Sequence, residues 1–184
     1  MLLQGAGAAA FAVDEGMPIV GPDYFWTEHR WRALKEARLR AAKPASGGGT
    51  VGAVALDRRG NLAAATSTGG VTNKLPGRIG DSALIGAGTY ASNASCAVSC
   101  TGQGDFFIRA TAARDIAALV EYADENLDTA VETVIHKRLG KLGGKGGAIA
   151  VGPDGHVACA FNTELMYRGS VTHAALVQVA IRET

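Results

Sequence analysis

Two short apolar segments joined by a glycine turn constrain this chain more than any other feature. In the stretch Gly47 to Gly70, GGGTVGAVALDRRGNLAAATSTGG, three glycines run into a threonine and the apolar run Val51 to Leu56 follows. Asp57-Arg58-Arg59-Gly60 then leads to a second run that closes at Thr66-Ser67-Thr68-Gly69-Gly70. Two such runs about a Gly-containing turn predict a β-hairpin. Neither arm alternates apolar with polar residues, so both faces are expected to be covered, as at the centre of a layered α/β structure.

The chemistry of this stretch lies at Gly49-Thr50. Glycine reaches backbone conformations closed to other residues, so the carbonyl before Thr50 can be held against the Thr50 hydroxyl. Attack there would free Thr50 as a new N-terminus. Its α-amino group, with a reference pKa of about 7.7–8.0, would then serve as base for its own hydroxyl. From these residues alone, a Gly-rich linker running into an ordinary strand is the other reading.

At 184 residues and 47% hydrophobic, the chain is long enough to bury a core and is expected to form one domain. Its 18 basic and 17 acidic residues leave no basic stripe, so no nucleic-acid partner is expected. No run is long enough to cross a membrane, and MLLQGAGAAAFA lacks the basic start and long apolar centre of a secretory signal. Cys96, Cys100 and Cys159 sit in apolar surroundings and read as buried free thiols of a reducing, cytoplasmic compartment. No spacing of cysteines and histidines suits a metal.

Along the chain, residues 6–12 predict a short helix, and Thr27 caps a second one reaching about Arg40, with Trp31, Leu34 and Leu39 inward. KPASGGG, residues 43–49, is a flexible linker by composition. Residues 71–81 form a loop carrying Lys74, Arg78 and Asp81, followed by a strand over 94–101. A helix then opens at Gln103 or Asp105 and runs through Tyr122, with Phe106, Ile116 and Val120 inward. Apolar residues at 127, 130, 131, 134, 135 and 139 predict another helix, closed by Gly140. Residues 146–161 repeat the hairpin pattern about Gly152-Pro153-Asp154-Gly155, and 176–181 add a last strand. Strands grouped apart from consecutive helices indicate α+β sheets with helices outside.

Several runs, GTVGAVALD, TSTGG, TNKLPGRIGDSALIGAG, NASCAVSCTGQGDFFIR, GGKGGAIAV and FNTELMYR, occur in an order that closely resembles the plant-type L-asparaginase and isoaspartyl peptidase family of N-terminal-nucleophile hydrolases. The resemblance spans Thr50 to Arg168 and implies a four-layer αββα sandwich. It further implies self-cleavage at Gly49-Thr50 and hydrolysis of L-asparagine and β-aspartyl peptides without a cofactor. Residues 1–49 would be the end of an α-subunit with its linker, residues 50–184 the catalytic β-subunit, and the complete enzyme a dimer of αβ units.

By the same resemblance Thr50 is the nucleophile and Thr68 its supporting hydroxyl. A hairpin of this length already brings Thr68 back to the start of the first strand, where a bare threonine is more often a satisfied strand end. Arg78 and Asp81, in PGRIGD, suit the α-carboxylate and α-ammonium of an aspartyl substrate; in isolation a surface ion pair is the other reading. Thr101-Gly102-Gln103-Gly104 lies between strand and helix, where free N–H groups favour developing negative charge. The resemblance puts the Thr101 hydroxyl and Gly102 N–H in the oxyanion hole and Gly104 beside the substrate ammonium, and helix capping is compatible with both. Cys100, next to these residues, shows no paired base and is assigned no catalysis.

Two patterns point elsewhere. The GxGxxA run at residues 86–91 would open a helix if it bound a dinucleotide, but a turn and a strand follow. Lys145 among its glycines lacks the Ser or Thr of a phosphate loop. Only 49 residues precede Thr50, whereas the family carries a longer α-subunit there with sheet strands and a sodium-binding loop. The sandwich is therefore expected to be incomplete at its N-terminal side, and an inactive truncated remnant is the rival reading.

Overall fold

A computed structural model describes residues 2–39, 49–172 and 177–182. The elements in chain order are α1 (Gly5–Asp14), α2 (Glu28–Leu39), β1 (Thr50–Leu56), β2 (Leu62–Thr68), β3 (Thr89–Ala91), β4 (Ala97–Gly102), α3 (Gly104–Ala110) and α4 (Ala112–Ala123). There follow α5 (Leu127–Glu132), which continues as a π-helical segment over Thr133–Leu139, then β5 (Gly146–Val151), β6 (Val157–Phe161), β7 (Arg168–Ser170) and β8 (Gln178–Ala180). This mixture of helices and antiparallel sheets is the α+β class expected. The linker residues 43–48, Arg40 and Leu176 lie outside the described residues.

Strands β3-β4-β5-β6 form one antiparallel sheet, and β1-β2 form a separate hairpin that packs on it, chiefly over β4. On the other face of the four-stranded sheet lie α4, α5 and the π-helical segment. Period two explains the arrangement. Val98 and Cys100, with Ala148, Ala150, Ala158 and Ala160, face Phe107, Ile116, Val131, Val134, Ile135 and Leu139. Ala97 and Val151 face the hairpin and meet Leu62, Val54, Leu56 and Ala64. The described residues thus stack as helices, sheet, hairpin.

At Gly52 the hairpin lies close against the sheet. A side chain on Gly52 would place its Cβ 2.0 Å from Ser99 Oγ. Thr66, opposite Gly52, reaches the Gly88 carbonyl at 3.1 Å and Ser99 Oγ at 2.7 Å, so one hydroxyl ties β2 to the sheet below.

Several expectations need correction. Among the described residues only one face of the hairpin is covered: exposure alternates along β1, Val51 is 70% exposed, and Ala53, Ala55, Ala63 and Ala65 share its outer face. Alanine-rich strands carry no polar alternation to mark that face. In α2 the Thr27 cap holds, since its Oγ1 accepts from Arg30 N–H, but Trp31 and Leu39 are exposed and Ala37 alone is buried. The helix predicted through Tyr122 breaks at Thr111, whose φ is +46°. The break redirects the chain so that the N–H groups of Ala113 and Arg114, at the start of α4, donate to the carbonyls of Ala87 and Gly86. Gly140 stays helical, and the left-handed stop is Gly143. Cys96 and Cys100 are buried, but Cys159 is exposed on the edge strand β6. β8 confirms the last strand, and its partner β7 was not foreseen.

Candidate active site

The hairpin register sets Thr50 opposite Thr68 at the open end of β1-β2. The Thr50 hydroxyl donates to Thr68 Oγ1 at 3.3 Å, and the Thr68 hydroxyl donates to the Gly49 carbonyl, also at 3.3 Å. Gly70 N–H adds a third bond to Thr68 Oγ1 at 3.0 Å. One hydroxyl hydrogen and two lone pairs satisfy all three together. The proton of Thr50 is therefore linked through Thr68 to the carbonyl that precedes Thr50. Both hydroxyl bonds are long for O–H···O and have room to tighten as charge develops.

Beside this end, Thr50, Thr68, Gly70, Val71, Arg78, Gly80, Asp81 and Gly102 line one narrow pocket of about 10 Å³. Gly104 backs it: a Cβ there would fall 2.6 Å from Asp81 Oδ1 and 3.1 Å from Arg78 Nη2. Thr50, Thr68, Arg78, Asp81, Gly102 and Gly104 are thus gathered from β1, β2, the following loop and the β4-α3 junction. Thr101 precedes Gly102 on β4, opposite Gly147, and does not itself line the pocket.

Arg78 and Asp81 do not form the simple pair that their spacing suggests. Arg78 Nη2 meets Asp105 Oδ1 at 3.1 Å, while Asp81 is 5% exposed and its Oδ2 has no hydrogen-bond partner. Burial raises the Asp81 carboxyl above the usual carboxylate value; the nearby Arg78 cation and backbone N–H groups oppose that rise. A buried acceptor without a donor costs free energy, and a cation in the pocket would supply the donor. The Asp81 carboxylate and the Arg78 guanidinium present opposite charges to one small space.

At the end of β4, Gly102 has φ +144°, and a Cβ would fall 2.4 Å from the Lys145 carbonyl, so only glycine fits there. Gln103 N–H is already taken by that carbonyl, which leaves Gly102 as the residue of this turn that borders Thr50. Cys100 is buried in the sheet, and burial, with the Asp81 charge adding to it, pushes its thiol far above the ordinary range. A thiol held protonated is no nucleophile.

A wider cleft of about 350 Å³ adjoins the pocket, sharing Thr68, Gly70, Arg78 and Gly80 with it and extending to Lys74, Ile79 and Ser82. Neither Ser82 nor the Arg78–Asp105 pair was singled out by sequence reasoning. That pair spans 27 residues and depends on tertiary packing; Ser82 is signalled only by its place beside Asp81.

Comparison with known proteins agrees with the resemblance. A family model described as asparaginase matches residues 1–181. The chain is 56% identical over 178 residues to an isoaspartyl peptidase of Salmonella typhimurium, covering 91% of this chain and 57% of that protein. It is 55% identical to an isoaspartyl peptidase of Escherichia coli, covering 91% of this chain and 56% of that one. A probable isoaspartyl peptidase/L-asparaginase of Arabidopsis thaliana is 43% identical, covering 97% of this chain and 62% of its own length. The chain spans little more than half the length of these relatives.

Proposed function

The chain belongs to the asparaginase family, and from that premise we propose a threonine-nucleophile amidohydrolase that cuts itself at Gly49-Thr50 and hydrolyses L-asparagine and β-aspartyl dipeptides to release L-aspartate. The observation that carries this reading is the hydroxyl chain from Thr50 through Thr68 to the Gly49 carbonyl. Thr50 Oγ1 attacks the Gly49 carbonyl carbon and gives up its proton toward Thr68. The C–N bond breaks as the Thr50 nitrogen takes a proton, leaving an ester that water hydrolyses to a Gly49 carboxylate and a free Thr50 amine.

In turnover the freed amine takes the hydroxyl proton, and Thr50 Oγ1 attacks the substrate's side-chain carbonyl. Thr101 and Gly102 receive the oxyanion, ammonia or an amino acid leaves with the proton, and water hydrolyses the β-aspartyl ester. Arg78 holds the α-carboxylate, and Asp81 with Gly104 holds the α-ammonium, supplying the donor that Asp81 Oδ2 lacks. A pocket of about 10 Å³ has room for about one water, so the pocket must widen as substrate enters.

The reaction as written uses no cofactor. We assign the whole protein the αββα sandwich, with residues 1–49 in the α-subunit and 50–184 in the β-subunit, a cytoplasmic location and a dimer of αβ units. Among the described residues no helix is long and apolar enough to cross a membrane. One observation favours the rival reading of an inactive remnant: nothing among the described residues covers the outer face of the hairpin that carries Thr50.

Intact mass and aspartate release test the assignment. Wild type is expected to split into two fragments at Gly49-Thr50 and to turn over asparagine. Thr50→Ala should do neither, whereas Arg78→Ala should still split but lose turnover by about 100-fold or more. An uncut Arg78→Ala beside a cut wild type would overturn that division of roles, and an uncut, inactive wild type would leave the remnant reading standing.

A further inference from the structure

The pocket beside Thr50 accounts for an aspartyl group, but not for the wider cleft that shares its wall. We propose that this cleft receives the leaving amino acid of a β-aspartyl dipeptide and that Lys74 selects for its C-terminal carboxylate. The inference rests on the reaction proposed above. Asparagine, which loses only ammonia, makes no use of such a subsite; a dipeptide presents a second carboxylate on the leaving side.

Three observations converge on Lys74. It lines the cleft of about 350 Å³ together with Arg78, the cation assigned to the aspartyl α-carboxylate. Its ammonium donates to the Gly69 carbonyl at 2.8 Å, and no carboxylate pairs with it among the described residues. Its stem lies directly over the Gly70 backbone: a Cβ on Gly70 would fall 3.1 Å from both Lys74 Cδ and Nζ. The preceding Asn73 has φ +60°, an uncommon conformation for a residue other than glycine, and it directs the chain into this position. Lys74 is thus held at the cleft while two of its three N–H donors have no acceptor among the described residues.

Ser82 adds a further indication of a ligand. It lines the same cleft, is 7% exposed, and its Oγ has no hydrogen-bond partner. Unpaired buried hydroxyls are uncommon, and this one lies in the wall of the cleft. Because the cleft and the narrow pocket meet at Thr68, Gly70, Arg78 and Gly80, a substrate lying across that shared wall places its aspartyl part by Thr50 and its leaving residue by Lys74.

The test compares kcat/KM for β-aspartyl-alanine, for its C-terminal amide and for asparagine, in the full chain and in Lys74→Met and Lys74→Arg. A charge-assisted hydrogen bond predicts that Lys74→Met lowers the ratio of dipeptide to asparagine kcat/KM on the order of 10- to 100-fold, chiefly through KM. The amide should behave in wild type as the acid does in Lys74→Met, and Lys74→Arg should restore much of the preference. A Lys74→Met chain that keeps the wild-type ratio, or a wild type indifferent to amidation, would overturn the subsite and leave the proposed reaction standing. A wild type that hydrolyses none of the three overturns the reaction, and the subsite falls with it.

Discussion

Asp81 shows how one side chain is held in the candidate site at a cost to the fold. It is almost fully buried, one of its oxygens is unpartnered, and burial raises its carboxyl above the ordinary value of 3.8. A raised folded-state value means that the folded protein holds this proton more tightly than the unfolded chain. The charged carboxylate then costs nothing below about pH 3.8, where both states are protonated, and destabilises increasingly as pH rises through the folded value. Asp81→Asn is therefore expected to melt higher than wild type at neutral pH, by about 2–4 °C for each kcal/mol recovered, while losing substrate turnover. The advantage should vanish as pH falls toward 3.8, which thermal melts across the acid range would reveal. A variant that melts lower at neutral pH would mean that the Arg78 attraction outweighs burial. The position of Asp81 in the site was legible from PGRIGD, but its burial and the diversion of Arg78 to Asp105 were not.

Elements were legible where a period was written into them. The stripe at 127, 130, 131, 134, 135 and 139 is buried at every position, because only the sheet-facing side of that helix carries large apolar residues. Both hairpin turns were marked by glycine with aspartate, and Asp57 takes the Asn61 backbone and side-chain N–H groups as such a turn requires. What escaped was decided by contacts distant in sequence: the break at Thr111 serves Gly86 and Ala87, and the covered face of β1 was fixed by Gly52 meeting Ser99. That close approach yields its own prediction. Gly52→Ala should destabilise by about 1–3 kcal/mol, the usual cost of overpacking, and Ser99→Gly in the same chain should recover part of it. Equilibrium denaturation of the two single variants and the double variant measures the coupling; strict additivity would show that the layers are not in contact there.

For the molecule as a whole, the described residues leave much apolar surface open. The outer hairpin face carries Val51, Ala53, Ala55, Ala63 and Ala65, and Phe11, Tyr24, Phe25, Trp26 and Leu39 are exposed in the N-terminal segment. Patches of that kind drive association, and a two-stranded sheet also presents unpaired edges. Light scattering is expected to show the purified chain self-associating with rising concentration, and Val51→Lys should reduce that association; a wild type that stays monomeric at high concentration would refute it. The single hydroxyl of Thr66 has a different bearing. Thr50 stands on the hairpin, whereas Gly102 stands on the sheet beneath, so no backbone ladder joins them. Thr66, bonded at once to Ser99 and the Gly88 carbonyl, is the peg that indexes one layer on the other. A slip of β2 by one residue would turn the peg outward and forfeit both bonds, so Thr50 and Gly102 are aligned in discrete steps and cannot drift continuously out of line.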